Sequence, residues 1–146
     1  MSAITEIDSS EQIAAAVELL KQMYPQQSHE QILQSTKQMM QEGWKLIGIF
    51  DGERCDAVVM YYVGQRLFCG KYLQPESLFV RPEARDKGHT KKLFDWMEQK
   101  AEELGCDRLF LHSFVESDNA HKFFYKQGYH IRGFVFSQML TDKYPS

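Results

Sequence analysis

The sequence predicts a mixed α/β domain, and three observations support that prediction. The chain has 146 residues, the ordinary size of one domain. Helix-type and strand-type segments follow one another in the order α-α-β-β-β-α-β-α-β. The segment from 80 to 108 joins two apolar strands through a helix, so those two strands should be parallel. We therefore expect one domain, residues 1–146, with a mixed sheet that has a parallel centre.

Composition narrows the class of protein. Hydrophobic residues make up 43% and charged residues 25% of the chain, as in ordinary globular proteins. A net charge of −3 argues against a nucleic-acid partner. Three cysteines without a C-x-x-C pair predict reduced thiols. The sequence shows neither a signal-peptide pattern nor an apolar run of about 18 residues, so we expect a cytoplasmic protein without a membrane partner.

Two capping signatures begin the predicted N-terminal helices. Ser9-x-x-Gln12 precedes apolar residues at helical spacing, which predicts a helix over about 10–23. Ser28-x-x-Gln31 repeats the signature, and Gly43 closes the second helix.

Strands are predicted next, over 44–50, 56–63 and 72–80, with a turn at 64–65 and a short extended piece at 67–69. Pro75 cannot donate to a sheet ladder, so we place it at a bulge or an unpaired position just before Glu76. A helix after Gly88 ends at Gly105, and a buried-type strand covers 108–111. A short helix over 119–127 and one or two strands within 129–140 complete the chain.

The stretch E-S-L-F-V-R-P-E-A-R-D-K-G-H-T-K-K, residues 76–92, predicts an anion site. An apolar strand ends at Pro82, a charged loop follows, and Gly88 leads into a helix. The first turn of a helix presents free N–H groups and the positive end of its dipole. Four cations also crowd this helix start, where acidic residues are normally preferred: Arg85, Lys87, Lys91 and Lys92. A bound phosphate would resolve that conflict, whereas the plainer alternative is four solvated surface charges.

The glycine spacing excludes two common phosphate loops, since neither G-x-G-x-x-G nor G-x-x-x-x-G-K-[ST] is present. Arg85-x-x-Gly88-x-Thr90 instead resembles the R/Q-x-x-G-x-G/A pyrophosphate loop of the GCN5-related N-acetyltransferase (GNAT) family. Thr90 departs from that pattern because the family has a small Gly or Ala there. The extra methyl and hydroxyl either weaken coenzyme binding or donate a hydrogen bond to it.

A second segment, N-A-H-K-F-F-Y-K-Q-G-Y over 119–129, resembles the family's N-A-x-x-F-Y-x-x-x-G-F motif. The resemblance covers about residues 44–140 and implies an acyl-CoA N-acyltransferase fold, a mixed sheet with a splayed parallel centre flanked by helices. It also implies that Asn119 and its helix, including Phe124, line the pantetheine arm, and that Tyr125 protonates the leaving thiolate. Aromatic packing beside Phe123 is the alternative for Tyr125.

The implied reaction is direct transfer of an acetyl group from acetyl-CoA to an amine. A backbone N–H among Leu78, Phe79 and Val80 would bind the thioester oxygen. Glu76 is the candidate base, acting through water because a carboxylate is a far weaker base than an amine. An exposed strand residue is the alternative for Glu76. The predicted phosphate loop consists of Arg85, Asp86, Lys87, Gly88, His89, Thr90 and Lys91.

The acceptor amine is predicted from resemblance to particular members of the family. Resemblance to aminoalkylphosphonate and aminoglycoside N-acetyltransferases favours a small primary amine, with residues 24–29 and 132–136 as pocket walls. A protein or peptide amine is the second candidate, and a CoA-binding regulator with little catalysis is the rival class. A DNA-binding factor is disfavoured by the acidic chain. No metal is expected, since the sequence has no ligand motif. Homodimers are common in the family, but no stretch identifies an interface.

Overall fold

The computed structural model describes residues 3–144, and the chain divides into two compact units. The first unit extends to Phe110 and the second begins at Leu111. The first unit contains all the strands of the described chain and three of its helices. The prediction that the whole chain forms one domain remains a prediction.

The helices and strands have the following bounds. The strands are β1 Ile4–Ile7, β2 Lys45–Asp51, β3 Arg54–Arg66, β4 Gly70–Val80 and β5 Arg108–Leu109. The helices are α1 Ser10–Met23, α2 His29–Gln41, α3 His89–Glu103 and α4 Asp118–Lys126, with a short 3₁₀ turn at Pro82–Ala84.

The sheet has the order β1-β2-β3-β4-β5. The first three pairings are antiparallel, whereas β4 and β5 are parallel, with Tyr72 opposite Arg108 and Leu73 opposite Leu109. Helix α3 makes the connection between these two parallel strands. The mixed α/β class, the flanking helices and the parallel strand–helix–strand unit are thus confirmed.

Helices cover both faces of the sheet. Successive strand residues point to opposite sides, so neighbouring residues of β3 show which helices pack on each face. Met60 belongs to the apolar cluster that includes Val17 and Leu20 of α1 and Ile32 of α2. The next residue, Tyr61, is buried on the other face and its ring lies 5.7 Å from that of Trp96 on α3. Helix α3 therefore packs on the face opposite α1 and α2.

The capping predictions for α1 and α2 are confirmed. The Ser9 hydroxyl accepts from Gln12 N–H at 3.1 Å, and the Gln12 side chain accepts from Ser9 N–H at 3.2 Å. Ser28 and Gln31 form the same reciprocal pair at 3.1 and 2.7 Å. Both helices begin within a residue of the predicted positions because these signals are local.

The predicted irregularity in β4 exists, but its position was wrong. Pro75 lies in register opposite Tyr61, and Glu76 lies opposite Met60. The register then shifts, since Phe79 lies opposite Val58, so β4 has one extra residue after Glu76 rather than before it. Pairing of β4 with β5 extends only to Leu73, and proline is tolerated where a strand has an edge.

The predicted turn at 64–65 and the extended piece at 67–69 were also wrong. Strand β3 continues to Arg66, and the turn is at 67–69. Gly64 lies opposite Tyr72, and a Cβ at Gly64 would lie 2.6 Å from the Tyr72 hydroxyl. The glycine thus makes room for a cross-strand tyrosine instead of making a turn.

Two further predictions of strands need correction. Strand β1 was missed because four residues of mixed polarity carry little periodic signal. The strands expected within 129–140 are absent from the described residues of the second unit. Residues 130–140 are exposed there, and a β-type sequence forms a strand only with a pairing partner.

Candidate active site

Helix α3 begins in the way that an anion-binding helix requires. Gly88 is its N-cap residue, in the left-handed region with φ 78° and ψ 18°. No side chain caps the helix and its first turn holds no acidic residue. A Cβ placed on Gly88 would meet no atom within 4 Å. The first N–H groups of α3 are therefore open to a ligand, and the glycine supplies the backbone conformation that L side chains rarely adopt.

The charges around this helix start are positive and exposed. Lys87 and Lys92 are exposed on either side of the first turn. Lys91 is also exposed, but its ammonium group contacts both carboxylate oxygens of Asp95 at 2.9 and 3.1 Å. Lys87 and Lys92 are thus better placed than Lys91 to meet a phosphate.

The side chain of Arg85 lies back against β4. Its Nε donates to the Val80 carbonyl at 3.1 Å, and its guanidinium lies 5.4 Å from the centre of the Phe79 ring. These contacts connect the loop to the strand end. One of its five N–H donors is used in this way, so others remain available for an anion.

The loop is fixed by a buried ion network that the sequence did not reveal. Arg81 N–H donates to the Asp56 carbonyl at 2.7 Å, and its guanidinium donates to the Cys55 carbonyl at 2.8 and 3.2 Å. The buried Asp56 carboxylate lies 3.4 Å from Arg81 Nε and 2.7 Å from Arg54 Nε. This network sets where β4 ends and the loop begins.

Three more predicted loop residues have distinct environments. Asp86 is exposed and has a positive φ of 64°, so the loop bends sharply before Gly88. His89 is only 6% exposed, and its Nδ1 has no hydrogen-bond partner among the described residues. Burial lowers the pKa of His89, and the charge of Lys92 lowers it further, so both favour the neutral form of the ring. Thr90 is half-buried in the first turn.

The bulge of β4 directly follows the predicted base. Glu76 is exposed, while Ser77 has a φ of 56°, a left-handed conformation that is unfavourable for serine. Neither Ser77 nor Leu78 has a register partner on β3. The Ser77 hydroxyl is 2.8 Å from the hydroxyl of Tyr24, the residue that ends α1. The predicted strand donors at 78–80 thus lie in or beside the bulge.

The second predicted motif lies in the second unit. Helix α4 carries Asn119 and Tyr125 as exposed residues, and Tyr125 is 55% exposed. Phe124 is half-buried, with its ring 5.7 Å from Phe123 and 5.9 Å from Tyr129. The phenol of Tyr125 is therefore accessible within its own unit, and Phe124 packs among aromatic rings.

The first unit thus gathers most of the predicted residues on one continuous segment. Strand residues 76–80 lead through Arg81 into the loop and the start of α3. Sequence reasoning did not predict the contact between Tyr24 and Ser77 or the contact between Arg81 and Asp56. The roles predicted for Glu76, for the residues at 78–80 and 85–91, and for Asn119, Phe124 and Tyr125 all remain predictions.

Two general features of the described residues bear on the chemistry. Residues 3–144 contain no group of three His, Cys, Asp or Glu side chains placed to hold a metal ion. Within the same range, every helix is too short or too polar to cross a lipid bilayer.

Solved structures with the same fold are numerous. A transcriptional regulator from Bacillus halodurans C-125 is 16% identical, with a TM-score of 0.84, covering 96% of this chain and 100% of the other. Glucosamine-6-phosphate N-acetyltransferase from Arabidopsis thaliana is 18% identical, with a TM-score of 0.74 and coverage of 97% and 99%. AAC(6')-Iy with the bisubstrate analogue CoA-S-monomethyl-acetylneamine is 15% identical, with a TM-score of 0.81 and coverage of 97% and 99%.

Comparison with family models is more direct evidence of descent, since the solved structures share the fold at low identity. The acetyltransferase (GNAT) family model matches residues 13–129, most of the chain. A search of curated proteins gave no match. The matched range includes the bulge of β4, the loop before α3 and helix α4. The chain therefore belongs to the acetyltransferase (GNAT) family.

Proposed function

We propose that this protein transfers an acetyl group from acetyl-CoA to a primary amine of a small molecule. The observation that supports this best is the start of α3, where a left-handed glycine, open N–H groups and exposed lysines coincide in a family of acetyltransferases. Two solved structures of the same fold contain coenzyme A or a CoA conjugate.

Coenzyme binding would use the first unit. The N–H groups of His89, Thr90 and Lys91 would receive the pyrophosphate, with Lys87 and Arg85 supplying charge. The pantetheine arm would follow the part of β4 beyond Leu73, where the pairing with β5 has ended. At roughly 3.3 Å per residue, the strand from Gln74 to Val80 offers at most about 20 Å of backbone, shortened by the bulge at Ser77. We also propose that Asn119 and Phe124 of α4 bind the coenzyme.

The chemistry needs a deprotonated amine, a polarised carbonyl and a protonated leaving group. The amine nitrogen attacks the thioester carbonyl carbon, and a backbone N–H of Leu78, Phe79 or Val80 stabilises the oxyanion. The proton lost by the amine passes through water to Glu76. The C–S bond then breaks, and Tyr125 donates a proton to the departing thiolate. We propose direct transfer rather than an acyl-enzyme. Burial raises the pKa of Cys55 to about 12 and also raises the pKa of Cys106, which disfavours either thiol as the nucleophile.

A small amine is favoured as acceptor because two fold relatives are named for glucosamine-6-phosphate and aminoglycoside acetylation. Proteins of one fold act on different substrates, so a screen of amines identifies the acceptor.

Release of free thiol from acetyl-CoA, measured with a panel of aminosugars, aminoalkyl phosphonates, polyamines and lysine peptides, tests the proposal. We expect turnover with a small amine, lowered about 10²–10⁴-fold by Glu76→Gln and at least tenfold by Tyr125→Phe. The matched controls are Glu53→Gln on the hairpin turn and Tyr144→Phe, since Tyr144 is 53% exposed and Tyr125 is 55% exposed. Turnover with peptides alone would indicate a protein acetyltransferase. Coenzyme binding without turnover on any amine would indicate a regulator.

A further inference from the structure

The bulge in β4 contains a backbone conformation that needs support. Ser77 has a φ of 56°, and a residue with a side chain pays a cost there that glycine does not. Such outliers persist only where the surrounding structure holds them, and they cluster at functional sites. Ser77 lies between the proposed base, Glu76, and the proposed oxyanion strand that begins at Leu78.

The support comes from α1. The Tyr24 hydroxyl is 2.8 Å from the Ser77 hydroxyl, although the two residues are 53 positions apart in sequence. Tyr24 is itself fixed, since its N–H donates to Leu20 O at 3.0 Å and its carbonyl accepts from Gln27 N–H at 3.1 Å. Its ring packs against the apolar cluster between the helices and the sheet. The Tyr24 ring is therefore held in place by packing, and its hydroxyl contacts Ser77.

We propose that the Tyr24 hydroxyl is a positioning group that holds Ser77 in its left-handed conformation and thereby keeps the β4 bulge aligned for acetyl transfer. This proposal rests on the proposed function, because the bulge matters for catalysis only if the thioester lies against it. Without the hydrogen bond, Ser77 would relax toward an extended conformation. Leu78 and Glu76 would then lose their orientation, while the start of α3 would stay unchanged.

The proposal predicts that loss of the Tyr24 hydroxyl lowers kcat but leaves the KM for acetyl-CoA nearly unchanged. Tyr24→Phe removes one oxygen and keeps the ring in the core. We expect kcat to fall about fivefold, the factor that corresponds to one ordinary hydrogen bond, with the KM for acetyl-CoA changed less than about twofold. Ser77→Ala should behave in the same way, because it keeps the strain and loses the hydroxyl.

The Ser77→Gly variant tests most directly whether Tyr24 acts through Ser77. Glycine adopts positive φ freely, so Ser77→Gly needs no support from Tyr24. We expect Ser77→Gly to keep kcat within about twofold of wild type, and Tyr24→Phe to have no further effect in that background. If Tyr24→Phe lowers kcat equally in the wild-type and Ser77→Gly backgrounds, Tyr24 acts directly on substrate and the positioning role is refuted. An unchanged kcat in Tyr24→Phe also refutes it.

Urea titration of wild type, Tyr24→Phe, Ser77→Gly and the Tyr24→Phe/Ser77→Gly double variant tests this proposal independently of the proposed function. The Tyr24→Phe substitution should lower the unfolding midpoint in the wild-type background and leave it unchanged in the Ser77→Gly background. If no amine is acetylated, that pattern still tests whether Tyr24 supports Ser77, and equal midpoint losses in both backgrounds would refute the support.

Discussion

Arg81 offers a prediction whose size follows from the structure. Its guanidinium donates twice to the Cys55 carbonyl and lies 3.4 Å from the Asp56 carboxylate, and its side chain is only 13% exposed. Arg81→Met removes these bonds and leaves a buried carbonyl with a lost partner, which costs about 1–3 kcal/mol. The substitution also removes one of the two cations beside the buried Asp56 carboxylate, which increases the loss of stability. Arg54, at 2.7 Å from the same carboxylate, limits that increase. We expect a total loss of about 2–4 kcal/mol in the free energy of unfolding.

Urea denaturation followed by far-UV circular dichroism measures this loss. With a slope near 2 kcal/mol per molar, the midpoint should fall by about 1–2 M. Arg54→Met is the matched control, because it removes a cation from the same carboxylate at a side chain that is 52% exposed. A midpoint change for Arg81→Met equal to or smaller than that for Arg54→Met would refute the assignment of the network to Arg81.

Two further predictions concern the packing of the first unit. Gly64→Ala should destabilise the protein by about 1–3 kcal/mol in urea, because its Cβ would lie 2.6 Å from the Tyr72 hydroxyl. Gly133→Ala, whose Cβ meets nothing within 4 Å, should stay within about 0.5 kcal/mol, and equal effects would contradict the packing argument. After maleimide treatment of the native protein at pH 8, mass spectrometry should show Cys55 unmodified and Cys106 modified. Cys55 is buried and its pKa is raised to about 12, whereas Cys106 is partly exposed, although burial raises its pKa as well. Modification of Cys55 before Cys106 would show that the strand is open.

Local signals explain which parts of the fold could be predicted from sequence. The capping pairs at Ser9 and Ser28 involve residues three apart, so both helices were predicted nearly to the residue. Gly64 misled the prediction because its role depends on Tyr72 across the hairpin. The final strands were predicted from β-type composition, but a strand forms only with a partner, which composition does not report.

The candidate site likewise has a local part that the sequence could predict and a part built from distant residues that it could not. The loop around Gly88 is contiguous in sequence, and its left-handed conformation and uncapped helix follow from a glycine before a basic turn. The groups that support the site come from distant positions. Tyr24 reaches Ser77 and Asp56 reaches Arg81 only after the sheet has formed, and neither pair leaves a pattern in the chain.

Titration calorimetry of acetyl-CoA against wild type, Gly88→Asp and Gly52→Asp tests the central claim most directly. Both glycines have positive φ, and a Cβ at either position would meet no atom within 4 Å, so the two substitutions impose similar backbone strain. Only Gly88→Asp places a carboxylate at the proposed phosphate site, where repulsion at about 4 Å is worth about 4 kcal/mol for an effective dielectric constant near 20. We predict saturable binding to wild type and Gly52→Asp, and at least about hundredfold weaker binding to Gly88→Asp. Equal affinity of all three proteins, or no binding to wild type at millimolar acetyl-CoA, would contradict the account.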